Sequence, residues 1–187
     1  MSLLALRPAD ACETSVAWKM AMENKLTPTA LLLSRQNIKD LPAIPGSTRY
    51  NDSLQAEKGA YIVQDCAGRP DVVLVACGSE VSTLIEGAAL LKSTDGLKVR
   101  VVSAISEGLF RQQPLDYQKM VIPGGLPVFG LTAGLPVTLA GLVGTHGKIW
   151  GLDHFGYSAP AKVLDEKFGF TPENVYKQVI AFLEESK

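Results

Sequence analysis

The sequence is poor in the groups that carry most enzymatic chemistry. Its 187 residues include two histidines, His146 and His154, and three cysteines, Cys12, Cys66 and Cys77. The cysteines show no C-x-x-C spacing, so they read as buried, reduced thiols of a cytoplasmic protein rather than a disulfide frame or a zinc site. Neither histidine has another His or Cys at ligand spacing, which argues against a metal centre. Ser158 lies near His154 but outside a G-x-S-x-G turn, so a serine-hydrolase reading has no support. Both histidines read as loop residues bonded to backbone. The net charge is −1, which offers no electrostatic footprint for nucleic acid or an anionic membrane. No apolar run reaches bilayer length. The N-terminus lacks the basic region and long apolar core of a secretory signal. Met1-Ser2-Leu3 reads as a leader on a chain cut from something longer. Internal repeats and low-complexity tracts are also missing.

What is present is apolar: 47% of residues are hydrophobic, enough for one domain with a sizeable core. Asp10, with Glu13 three residues on, makes a capping-box start for a helix. Ala11, Ser15, Trp18 and Met22 then recur at helical spacing as its apolar face. Thr29 to Ser34 reads as a strand buried on both faces. The stretch 38–53, "IKDLPAIPGSTRYNDS", reads as a linker and the best boundary.

From Lys58 strands alternate with helices. "GAYIVQD", "DVVLVACG", "LKVRVVSA", "LPVFGLTA" and "KIWGLD" read as strands. "SEVSTLIEGAALLKS", capped by Ser79, "LDYQKMVI", part of 135–147, "APAKVLDEKFG" and "TPENVYKQVIAFLEES" read as helices, the last with Thr171 as cap and Pro172 at its first position. The pattern predicts an α/β fold of three α/β/α layers, with a mostly parallel sheet and one antiparallel edge strand.

Two features invite chemistry. "CGSEVS" follows a strand and opens a helix, so its N–H groups could hold an anion, but it lacks both glycine-rich phosphate fingerprints and reads as an ordinary capped turn. Arg35, in "LLLSRQN", closes a strand. Ligands gather beyond the carboxyl ends of strands in open α/β sheets, and a guanidinium fits phosphate or carboxylate oxygens there. A structural salt bridge fits the position equally well.

A resemblance separates these readings. Arg7-Pro8 with Asp10, Ala17-Trp18-Lys19 and Ser34-Arg35-Gln36-Asn37 resemble the end of the pyrimidine-binding domain of transketolases. Phe155-Gly156, Ser158-Ala159-Pro160 and Phe168-Gly169-Phe170-Thr171 resemble that family's C-terminal domain. The resemblance implies that residues 1–46 are the tail of the pyrimidine-binding domain plus linker, and 47–187 the C-terminal domain. It implies a parent that transfers a two-carbon ketol unit between sugar phosphates in the pentose phosphate pathway. That parent uses thiamine diphosphate and Mg²⁺ as a cytoplasmic homodimer. Arg35 then matches an arginine that anchors the substrate phosphate.

The family's GDG signature, its distant asparagine, its activating glutamate and its proton-shuttling histidines are absent. The expectation is therefore no catalytic, cofactor-binding or metal-binding residue in this chain, no activity on its own, and a structural or dimer-supporting role. Thr132 stands where many members have glutamate, and Leu139 or a neighbour where they have tryptophan. The alternatives are another thiamine-diphosphate enzyme, of the deoxyxylulose-phosphate synthase type, or a free-standing nucleotide- or anion-binding module at "CGSEVS".

Overall fold

The structure, a computed structural model, describes residues 2–185. Its centre is a five-stranded sheet ordered β3-β5-β4-β6-β7, formed by β3 (Tyr61–Gln64), β4 (Val72–Ala76), β5 (Val99–Ser103), β6 (Val128–Leu131) and β7 (Lys148–Trp150). All neighbours run parallel except β3, an edge strand antiparallel to β5. The expected mixed sheet with one antiparallel edge is therefore found.

β4 shows why the layers form. All five of its side chains are buried, as a central parallel strand requires. Val72, Leu74 and Ala76 join one core with Val81, Leu84, Ala88 and Leu91 of α3 (Glu80–Asp95) and Val175 and Val179 of α8 (Pro172–Glu185). Val73 and Val75 face the other way, onto Val121 of α5 (Leu115–Val121) and Leu142 and Val143 of α6 (Ala140–Val143). The period-two alternation of one strand thus separates two helical layers. Among the described residues no helix is long and apolar enough to cross a membrane.

The N-terminal segment is a second small unit. β1 (Leu4–Leu6) pairs in parallel with β2 (Thr29–Leu31), and α1 (Ala11–Glu23) connects them. Leu4, Leu6, Ala9, Val16 and Ala17 belong to the same core as β4 and α3, so the segment is docked onto the sheet domain. Three expectations change here. The strand is shorter than 29–34, and its residues are only half-buried, while Leu32 and Leu33 are 49% and 53% exposed. The spacing Ala11, Ser15, Trp18, Met22 marks the outward face of α1: Trp18 is 54% and Met22 78% exposed. The buried face carries Glu13, Val16 and Ala17 instead. The cysteines are free thiols, as expected, but each is half-buried rather than buried.

The stretch read as linker is tightly held. Leu41 is buried, Thr48 caps α2 (Arg49–Ser53) by accepting from the Asn51 N–H at 3.2 Å, and the Ile44 N–H donates to Asp52 at 2.8 Å. A 3₁₀ turn, Leu54–Lys58, then leads into β3.

Candidate functional site

The carboxyl ends of β2, β4 and β6 open on the same side of the fold, and a cleft of about 370 Å³ lies there. Its walls are the chain leaving β2, the start of α3 and the inward face of α7 (Ala161–Phe168). The parallel pairing of β1 and β2 continues one step past β2, where the Leu32 N–H donates to the Leu6 carbonyl at 2.9 Å. That bond aims the following residues, Leu33 to Gln36, into the cleft mouth.

Arg35 is exposed there and has no hydrogen bond or ion pair with any other described residue. A structural salt bridge, the rival reading of an arginine at a strand end, is therefore not what this side chain makes. Its guanidinium is exposed and unpaired among the described residues.

A second arginine, Arg7, lines the same cleft and behaves in the opposite way. Its Nη1 pairs with Glu80 Oε2 at 2.5 Å and donates to the Cys77 carbonyl at 3.1 Å. Its N–H donates to the Ile105 carbonyl at 2.9 Å, and its own carbonyl accepts from the Gly78 N–H at 3.1 Å. Arg7 is thus stitched across the ends of β4 and β5. Its partner Cys77 lies 70 residues away along the chain, and no local spacing points to such a pair.

This arrangement explains "CGSEVS". The turn after β4 holds Gly78 at φ +67°, and a Cβ there would lie 2.9–3.1 Å from the Arg7 side chain. The helix start is therefore covered by Arg7 and Glu80, but it lacks the expected side-chain cap. Contrary to the sequence reading, Ser79 does not cap α3 with its side chain. Its hydroxyl is 2.9 Å from Glu80 Oε1 instead.

Asp165, on α7, supplies the remaining charge at the cleft, and partial burial pushes its carboxyl above the ordinary range. The FGFT motif has structural roles beside it, whereas Phe155 of FG-x-SAP is 98% exposed. Phe168 stacks on Tyr157, with ring centroids 5.6 Å apart, and its carbonyl accepts from Trp150 Nε1 at 2.9 Å. Gly169 ends α7 at φ +75°, where an L side chain is strained. Asn174 donates to the Gly169 carbonyl at 2.9 Å, and Thr171 caps α8.

The histidines lie outside this cleft. His146 is exposed in the loop before β7, and the His154 Nδ1 lies 2.8 Å from the Phe155 carbonyl, a backbone contact of the expected kind. Thr132 is buried and accepts from the Gly134 N–H at 3.1 Å. Among the described residues no three His, Cys, Asp or Glu side chains converge as metal ligands.

Comparison with known proteins agrees with this architecture. The profile of the transketolase-like TK C-terminal domain family matches residues 59–171. The transketolase of Aquifex aeolicus is 39% identical over 180 residues, 96% of this chain and 25% of that protein. The structure of transketolase from Leishmania mexicana superposes with a TM-score of 0.85 at 37% identity, covering 98% of this chain and 26% of that one. A Pichia stipitis transketolase, determined in complex with sedoheptulose 7-phosphate, gives 0.84 at 32% identity, covering 98% of this chain and 25% of that one. The chain spans about a quarter of the length of these relatives, and it belongs to the transketolase-like C-terminal domain family.

Proposed function

We propose that this chain is the C-terminal quarter of a transketolase, in which Arg35 grips the phosphate of a sugar phosphate while a two-carbon ketol unit is transferred elsewhere in the enzyme. The observation that carries the reading is the free, exposed guanidinium of Arg35 at the carboxyl end of β2, in a chain about 40% identical to transketolases over nearly its whole length. A charge-assisted, two-pronged contact with phosphate oxygens is what such an arginine supplies best. The sugar phosphate held by the Pichia stipitis relative is of the required class.

Residues 1–46 then complete a pyrimidine-binding domain, and 47–187 form the C-terminal domain with a structural, dimer-supporting role. Thiamine diphosphate and Mg²⁺ supply the carbanion chemistry of that enzyme, and no step of it is assigned to this chain. The chain alone is inactive on this reading. The enzyme is a cytoplasmic homodimer of the pentose phosphate pathway.

Reconstitution tests it. The purified chain is mixed with the remaining three-quarters of the Aquifex aeolicus transketolase, with thiamine diphosphate and Mg²⁺. Ketol transfer from a pentulose phosphate is then measured. Activity from the mixture, and from neither part alone, is the expected result. Activity from the chain alone, or none from a mixture that forms a complex, overturns it.

A further inference from the structure

We propose that Arg7 is a positioning residue for the anion site: by neutralising Glu80 it leaves the guanidinium of Arg35 free to meet a phosphate. The inference rests on the reading of Arg35 given above and names what keeps that residue available.

Four charged side chains line the cleft beyond β2: Arg7, Arg35, Glu80 and Asp165. Glu80 is the buried one, its side chain 7% exposed. A carboxylate withdrawn from water to that degree requires a cation. Arg7 provides it, and the fork fits a slot: Arg7 Nη1 is within reach of the Cys77 carbonyl and Sγ as well as Glu80, and its stem fills the space a Cβ on Gly78 would need. Arg35 has no such slot. It sits on a long, rotatable stem at the mouth of the same cleft. Without the Arg7 cation, Glu80 is a buried carboxylate with no counter-ion in the cleft that Arg35 lines, and the anion-binding guanidinium is drawn inward to it, past the half-buried Asp165. The two arginines therefore have complementary roles. Arg7 satisfies the protein's own buried acid, and Arg35 is left for the ligand.

The backbone bonds of Arg7 to Ile105 and Gly78 do not involve its side chain, so Arg7→Met keeps them while removing the charge. This separates the electrostatic role from a merely structural one. The experiment is nuclear magnetic resonance on the labelled full chain, comparing wild type with R7M, E80Q, R7K and R7M/E80Q. Two signals are followed. One is solvent exchange of the Arg35 Nε–H. The other is the shift of the amides of residues 33–36 on titration with ribose 5-phosphate, with ribose as control.

In the wild type the Arg35 Nε–H exchanges fast, and ribose 5-phosphate but not ribose moves the amides. In R7M the Nε–H becomes protected and affinity falls about three- to fivefold, the scale of one partly exposed ion pair. R7M/E80Q restores both signals. Should R7M loosen the N-terminal strands, R7K carries the test: the ammonium still neutralises Glu80, and affinity stays near wild type.

Wild-type affinity in R7M with a fast-exchanging Arg35, no recovery in R7M/E80Q, or R7K as weak as R7M each overturns the proposal. The first of these leaves the phosphate role of Arg35 standing. Equal response of the wild type to ribose and ribose 5-phosphate removes that role, and this inference with it.

Discussion

The Tyr61 hydroxyl donates to Glu13 Oε1 at 2.7 Å, joining the N-terminal helix to the first strand of the sheet domain. Both residues are fully buried. Arg49 closes the group, donating to the Tyr61 oxygen at 2.7 Å and to Glu13 Oε1 at 3.2 Å, and pairing with Asp10 at 2.5 Å. Glu13 Oε2 accepts from the Ala9 N–H at 2.8 Å. Every member of the group has a partner, which is the condition for a buried polar network to hold rather than weaken a fold.

Removing one member leaves its partners short of a hydrogen bond in a buried site. Glu13→Ala is expected to cost about 3 kcal/mol, because it leaves the buried Tyr61 hydroxyl and the Ala9 N–H without their acceptor, while Arg49 keeps Asp10. Tyr61→Phe removes one hydroxyl and is expected to cost about 1–2 kcal/mol. Urea unfolding measures both. Limited trypsin digestion should also release residues up to about the α2 region faster in E13A than in wild type. Equal proteolysis rates would show that this network does not hold the segment.

The same group sets a pH dependence. Burial pushes the Glu13 carboxyl above its ordinary value near 4.5, against the opposing pull of Tyr61, Ala9 and Arg49. A group whose folded pKa is raised contributes stability that is fully present below the unfolded value and is lost as pH rises through the folded value. Glu13→Gln mimics the protonated form, so wild type and E13Q should be closest in stability below pH 4.5. The wild type should then fall behind E13Q as pH increases. Denaturation midpoints at a series of pH values check this. A wild-type advantage that grows with pH would reverse the sign.

Gly59 is fixed by its surroundings rather than by its turn alone. It sits at φ +87°, and a Cβ there would lie 2.3 Å from the Phe110 nitrogen and 2.6 Å from the Ser106 carbonyl oxygen, both backbone. Backbone cannot step aside as a side-chain tip can. Gly59→Ala should therefore cost about 2 kcal/mol or more, while Gly46→Ala, also at positive φ but with open space around it, should cost about 1 kcal/mol or less. Thermal unfolding of the two variants compares them directly. Equal losses would mean that dihedral strain, not the close approach, dominates at Gly59.

The sheet domain was legible in the sequence because its signals are local. "DVVLVACG" is an apolar block, and the helix that follows carries Val81, Leu84 and Ala88 at helical spacing onto one core. Asp10 and Glu13 announced the start of α1, and the Glu13 N–H does donate to Asp10 at 2.8 Å. The buried face of α1 was not legible. A glutamate counts as an outward residue in any pattern of apolar spacing, and what makes its burial tolerable lies 36 and 48 residues away, in Arg49 and Tyr61. Arg49 falls in a stretch whose prolines and polar residues read as linker. Strand β1 escaped notice because three residues carry too little pattern without their partner β2. At the site, Arg35 stood out through its place after a strand and its resemblance to a family motif. The Arg7–Glu80 pair needed the fold itself, because it joins residues that only the sheet brings together.

On the proposed function, Arg35 holds a phosphate remote from the bond being broken. The direct measurement is steady-state kinetics of the reconstituted enzyme carrying Arg35→Ala, with a phosphorylated ketose donor and its unphosphorylated analogue. KM for the phosphorylated donor is expected to rise by about tenfold or more, with a smaller loss in kcat as anchoring energy is forfeited, while the unphosphorylated donor is used nearly as well as by wild type. Equal losses for both donors, or none for either, would contradict it.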